Sequence, residues 1–163
     1  MAGVTEFPGF FDPLSLSEGK SAERLAYFRE AELKHGRVAM LAALGFLVGE
    51  SFHPLFGGDI DVPSYIAFQQ TPLQTFWPFV VTVIAWIEGG AALNTFKDPS
   101  EALWTLKDGR VAGDLGFDPL GLKPDTPAEL KELQTKELNN GRLAMIGIAG
   151  FVAQELVSGA KIL

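Results

Sequence analysis

The sequence predicts an all-α membrane protein with three transmembrane helices, the first and third forming a crossed pseudo-two-fold pair. Three observations predict it: three segments long enough to span a bilayer, a repeat of the first segment within the third, and basic residues confined to alternate loops. The 163 residues suit one domain, 1–163, and 47% of them are hydrophobic. A span takes roughly 20 residues of helix.

The first segment covers about 23–50. Its uncharged part, Val38 to Gly49, is only 12 residues, so the span must take in the polar stretch "ELKHGR" from Glu32 to Arg37. The second, about 73–95, carries a single charge, Glu88, and no polar face to give to water, which argues against a soluble helical bundle. Trp77, Phe79 and Trp86 within it are expected to face lipid or the interface. The third, about 128–158, repeats the first: "ELKHGRVAMLAALG" at Glu32 becomes "ELNNGRLAMIGIAG" at Glu137, and the two align without a gap through Glu50 and Glu155. Ahead of each copy stands a turn element with Asp before Pro, "FDPL", at Phe11 to Leu14 and at Phe117 to Leu120. One span lies between the repeats, so both copies cross in the same direction, related by an axis along the membrane normal.

Loop charge orients the chain. The flank up to Arg37 holds five Lys and Arg, Thr95 to Lys136 holds six, and Ser51 to Thr71 holds none. This positive-inside asymmetry puts the amino terminus and the second loop on one side. The first residues read as neither a signal peptide nor a transit peptide. A net charge of −7 argues against nucleic acid, and the absence of cysteine removes disulfides, thiolate metal sites and thiol catalysis.

Within each repeat, Glu and Arg stand five residues apart, about 140° around a helix, so they cannot pair comfortably within it. Across the pair they can: Glu32 with Arg142, and Glu137 with Arg37. Pairing spares the cost of lone charges in hydrocarbon. Three residues after each Glu stands a second Lewis base, His35 or Asn140, with no reason to face lipid. Each of these bases, and one carboxylate oxygen of each Glu, could supply a single axial ligand to a metal. The small residues beside them (Gly36, Ala39, Gly45, Gly49; Gly141, Ala144, Gly147, Gly150) suit either a close helix crossing or a flat ligand. A di-iron carboxylate centre would need a second E-x-x-H, and the second copy has Asn140 in place of His. One-point ligation by assorted bases fits a metal whose other positions a macrocycle fills, and magnesium accepts such oxygen ligands.

These motifs resemble the chlorophyll-binding light-harvesting antenna family, over nearly the whole chain. The short loops, the Phe-rich "GFFDPL" and an end soon after the third helix look most like the fucoxanthin chlorophyll a/c-binding proteins. The resemblance implies that Glu32, His35, Glu88, Glu137, Asn140 and Gln154 are axial ligands to chlorophyll magnesium. Arg37 and Arg142 would be the counter-charges between helices, with no metal beyond that magnesium. Gln154 breaks the repeat, because its counterpart is Gly49. Green-lineage relatives often balance the carboxylate at Glu88 with an Arg one turn later; here that position is Ala91, so its counter-charge is open. His53, Gln69, Gln70 and Gln74 are weaker ligand candidates. The FDPL elements would flank carotenoid ends.

The resemblance further implies chlorophyll a, chlorophyll c, fucoxanthin and a xanthophyll-cycle carotenoid as cofactors. It implies the plastid thylakoid membrane with the amino terminus stromal, and thylakoid lipids, other antenna subunits and a photosystem core as partners in an oligomer. The expected role is a non-enzymatic pigment scaffold that passes excitation energy to a photosystem. The alternatives are a photoprotective quencher, with Glu50, Asp59, Asp61 and Glu155 facing the lumen, and a pigment-free membrane protein such as a transporter.

Overall fold

A computed structural model describes residues 3–4, 9–52, 60–70 and 72–163, with only the backbone at Leu73, Gln74 and Phe76. Helix α1 runs Ala22–Ser51, and the Ser21 hydroxyl accepts the Arg24 N–H at its start. Helix α2 runs Leu73–Thr95 with Pro78 inside it, where the ring removes the N–H that would bond the carbonyl four residues back. Helix α3 runs Pro127–Ser158. Pro127 suits its first turn, and Gly159, at φ 64°, takes the left-handed conformation that ends it. A 3₁₀ helix, Ser64–Gln70, lies in the connection between α1 and α2 that the sequence leaves as loop. No strand occurs among the described residues; Phe96 and Leu106 form one isolated antiparallel bridge.

Helices α1 and α3 cross at glycine. A Cβ built on Gly36 would stand 3.0 Å from the Gly141 Cα, and the reverse distance is also 3.0 Å. Both glycines stand at the same place in the repeat, near the middle of their helices. The structure therefore divides the small residues in two. Gly36 and Gly141 serve the crossing, whereas Gly45, Gly147 and Gly150 face open space.

Helix α2 stands apart. Among the described residues, none of its Cα atoms lies within 8 Å of α1 or α3; its neighbour is the 3₁₀ helix. Trp86 is 81% exposed and Phe79 68%, while Trp77 packs on Phe68 at 5.9 Å between ring centroids. The carboxyl end of α2 is tied down: Lys107 Nζ donates to the Leu93 carbonyl, and Phe96 and Trp104 pack on Tyr27 of α1.

Among the described residues, only Leu33, Ala39, Leu106 and Leu138 are buried apolar side chains. So small a protein core cannot offset the chain entropy of 163 residues. Much of the apolar surface of the helices is exposed, with Val157 at 90% and Ile146 at 74%. By length and apolarity α2 and α3 qualify as membrane spans, and α1 does not. Glu32, Lys34 and Arg37 within it are met by partners on other helices, which a hydropathy average cannot count.

Candidate functional site

The site grows from the crossing. One turn before each glycine stands a Glu, and directly after it an Arg. The approach at Gly36 and Gly141 brings each Arg to the Glu of the other helix. Arg142 Nε donates to Glu32 Oε1 at 2.7 Å, and Arg37 Nε donates to Glu137 Oε1 at 2.8 Å. Each Arg also reaches a loop. Arg142 donates to the Gly3 carbonyl at 2.8 Å and Arg37 to the Gly113 carbonyl at 2.9 Å. Both loop glycines sit at positive φ, 78° and 80°, and a Cβ there would collide with Leu138 or Leu33, which are themselves repeat counterparts. Gly3 and Gly113 were not singled out from the sequence. The signal was there, an "AG" dipeptide ahead of each FDPL element, but a glycine's use as an acceptor carrier is invisible without the fold.

Glu32 is the more engaged of the two carboxylates. Its Oε2 also accepts from Arg29, at 3.0 Å, so the oxygen left open by the expected pairing already has a donor. A carboxylate offers about four lone-pair sites, so a further ligand at Glu32 shares its oxygens with two guanidinium groups. Glu137 accepts only from Arg37 among the described residues.

His35 is exposed, and its Nδ1 lies 2.8 Å from the Ala31 carbonyl. A carbonyl only accepts, so Nδ1 carries a proton, and in the neutral imidazole Nε2 is the nitrogen with the lone pair. That is the tautomer a metal-ligating histidine takes, with the donor nitrogen anchored. Asn140 and Gln154 are exposed, and their amides have no hydrogen-bond partner among the described residues. Among the described residues no three His, Asp or Glu side chains gather as a metal cluster.

Glu88 has a partner that the sequence reading did not find. Lys34 Nζ of α1 makes an ion pair with Glu88 Oε2. Gln69 and Gln70 are exposed on the 3₁₀ helix. His53 lies outside the described residues, as does the side chain of Gln74.

A cavity of about 580 Å³ lies between the amino-terminal halves of α1 and α3 and the loop at 111–114. Leu25, Ala26, Leu33, Val111, Leu130 and Leu138 line its apolar wall. The two FDPL elements close in the same way. Asp12 accepts the N–H groups of Leu16 and Ser17, and Asp118 those of Leu122 and Lys123. The Ser17 hydroxyl and these N–H groups hold the Asp12 carboxyl below its usual range; backbone N–H groups do the same for Asp118.

At the other end of the pair, Glu155 is fully buried and accepts the N–H groups of Ser64 and Tyr65, at 2.9 and 3.0 Å. Glu50 accepts those of Ile162 and Leu163, at 2.9 and 3.1 Å. Asp61 pairs with Lys161, and Asp59 lies outside the described residues.

A family profile described as "Chlorophyll A-B binding protein" matches residues 1–156. The chain is 49% identical to the chloroplastic light-harvesting complex stress-related protein 3.2 of Chlamydomonas reinhardtii, over 99% of this chain and 65% of that protein. It is 45% identical to a chloroplastic fucoxanthin-chlorophyll a-c binding protein of Isochrysis galbana, over 98% and 77%. A chloroplastic chlorophyll a-b binding protein of Petunia hybrida is 37% identical, over 91% and 58%. The chain thus spans just under two thirds of the stress-related relative's length.

Proposed function

The chain belongs to the chlorophyll a-b binding protein family, and from that premise we propose that it is a light-harvesting scaffold for chlorophyll and carotenoid. It does no bond chemistry; it holds chromophores at fixed separation and orientation so that excitation passes to a photosystem. In this reading α1, α2 and α3 all span the thylakoid membrane of the plastid. The crossed pair α1 and α3 is pseudo-two-fold about the membrane normal, and the amino terminus is stromal.

The observation that carries the reading is the crossing itself. Two reciprocal Glu–Arg pairs consume the charge, and a lone base (His35 or Asn140) is left exposed three residues after each Glu. Isolated single donors suit a metal whose remaining ligands come with it. His35 would offer Nε2, Asn140 and Gln154 an amide oxygen, and Glu32, Glu88 and Glu137 a carboxylate oxygen to chlorophyll magnesium. When bound, chlorophyll supplies the absorption and the excited state. The residues supply position: Ala31 orients His35, and Arg142 and Arg37 hold Glu32 and Glu137.

The apolar cavity beside the 111–114 loop suits one end of a carotenoid, and the gap around α2 suits flat rings. We assign chlorophyll a, chlorophyll c and fucoxanthin by likeness to the Isochrysis protein, with a xanthophyll-cycle carotenoid besides. Thylakoid lipids, other antenna subunits and a photosystem core would be the partners, in an oligomer. The test is the absorption spectrum of the purified native protein. A red chlorophyll band is expected; its absence sinks the reading in favour of a pigment-free membrane protein.

The stress-related relatives favour a second reading, a photoprotective antenna that shortens the excited-state lifetime in acid. Its candidate groups are Glu50, Asp59, Asp61 and Glu155. Fluorescence lifetimes of the isolated protein at pH 7 and pH 5 decide between the two. Equal lifetimes leave light harvesting as the role.

A further inference from the structure

Helix α2 carries Glu88 as its single charge, with no Lys or Arg of its own. A lone carboxylate in hydrocarbon costs about 3 kcal/mol. One turn later, where an Arg could balance it within the helix, stands Ala91.

The structure places the missing charge on another helix. Lys34 of α1 pairs with Glu88 Oε2 across the gap between α1 and α2, where no backbone of one approaches the other. Two long side chains reach toward each other across that gap, and neither is more than half exposed.

Lys34 is also where the repeat breaks. Its counterpart is Asn139, which serves its own pair by accepting from Arg142 Nη1 at 3.5 Å. Four of the other five motif positions are identical, Glu32 with Glu137, Leu33 with Leu138, Gly36 with Gly141 and Arg37 with Arg142, and the fifth, His35 with Asn140, keeps a Lewis base. The lysine therefore answers to something on one side of the pair only, and Glu88 is that thing. Beside Glu88, a Cβ on Gly89 or Gly90 would meet nothing within 4 Å, so the surface next to the carboxylate is flat and open.

We propose that Lys34 is a positioning residue for the pigment held by Glu88: its ammonium balances the carboxylate from across the gap and leaves Oε1 for magnesium. The proposal rests on the reading of Glu88 as a chlorophyll ligand. Together the carboxylate and ammonium are neutral, which makes an anionic ligand tolerable in hydrocarbon. The bridge also fixes the distance of α2 from α1, so one pair sets both the site and the width of the gap.

The test uses the full chain refolded with chlorophyll and carotenoid, read by chlorophyll-to-chain stoichiometry, by the red-band difference spectrum and by melting temperature. Glu88→Leu should lose one chlorophyll per chain; if it loses none, the reading of Glu88 as a ligand fails. Lys34→Met should lose that chlorophyll with the matching difference spectrum, while Lys34→Arg keeps it. If Glu88→Leu loses the chlorophyll but Lys34→Met keeps it with an unchanged spectrum, the role of Lys34 is overturned and the ligand reading stands.

Two further variants cover a Lys34→Met chain that fails to refold. Lys34→Met with Glu88→Gln has a neutral oxygen donor and no charge to balance, and should regain the chlorophyll. The exchange Lys34→Glu with Glu88→Lys should regain the pairing and its melting temperature without the chlorophyll. Failure of the first to bind, or binding by the second, contradicts the assigned roles.

Discussion

At the crossing, Glu32 and Glu137 are each met by an arginine from the opposite helix. About 27 Å further along the axis, Glu50 and Glu155 are met by backbone N–H groups instead. The charged donors join helix to helix and fix how α1 is rotated against α3. The backbone donors join loops to helix ends: the 3₁₀ helix closes on Glu155, and the carboxyl-terminal segment closes on Glu50. One device sets the geometry of the pair, and the other seals its end. A carboxylate is thus a sign of helix pairing where a charged side chain of another helix faces it, and not where backbone N–H groups do.

Removing an arginine is the hardest blow to that comparison. Arg142→Leu strands Glu32 beside Arg29 alone and cuts the tie to Gly3; a loss of about 3 kcal/mol and of pigment is expected. Water reaching this partly exposed pair would reduce the figure. Arg142→Lys keeps the charge but gives up the planar fork, and should lose less. Thermal melting with pigment counting checks both, and a leucine variant equal to wild type would deny the cross-pair its role.

At the other end, Glu155→Ala leaves the Ser64 and Tyr65 N–H groups without acceptors, at a cost of about 2 kcal/mol. Glu155→Gln keeps one acceptor oxygen and should fall between alanine and wild type. The loss should register as faster amide exchange in the 3₁₀ helix, with Arg37 and Glu137 undisturbed. Equal protection in all three proteins would mean that Glu155 does not hold that helix.

The crossing between the two ends can be tested by size. Gly36→Ala places a methyl against the Gly141 backbone at 3.0 Å. Overpacking costs about 1–3 kcal/mol, and alanine's helix preference returns up to about 1. A net loss of roughly 1 kcal/mol is expected. Gly45→Ala, in open space, should be neutral or slightly stabilising. A chain that tolerates both equally would place the close contact elsewhere.

The smallest effect is a null between pH 7 and 5. Asp12 and Asp118 use the same backbone-donor device as Glu50 and Glu155, on exposed turns, and their folded-state carboxyls titrate below the unfolded value. Their contribution is fully present above about pH 4 and is lost as pH falls through the lowered folded value. Amide protection at Leu16, Ser17, Leu122 and Lys123, corrected for intrinsic rate, should therefore be the same at pH 7 and pH 5. Opening of either turn at pH 5 would contradict the sign.

Much of the helical plan was legible in the sequence, because apolar runs are local signals. The helices begin and end within one residue of the segments read from hydropathy. The Glu–Arg cross-pairs were legible too, since five-residue spacing forbids pairing within a helix and a repeat supplies a partner. What escaped was contributed by backbone or by a distant element. Gly3 and Gly113 act through carbonyls, and Ser64 and Tyr65 through N–H groups, which every residue but proline carries. Lys34 was read as one of several basic residues on a polar stretch, because the gap to α2 has no sequence signature.

By itself the sequence determined that the chain is helical, that its first and third helices are one design used twice, and that their charges must be shared. Periodicity and repetition are properties of the chain and survive without coordinates. Only the tertiary structure decided which glycines make the crossing, where the backbone supplies a missing donor, and that Lys34 answers Glu88. Those depend on the distance between elements, which side-chain reach and steric contact fix only once the helices are placed.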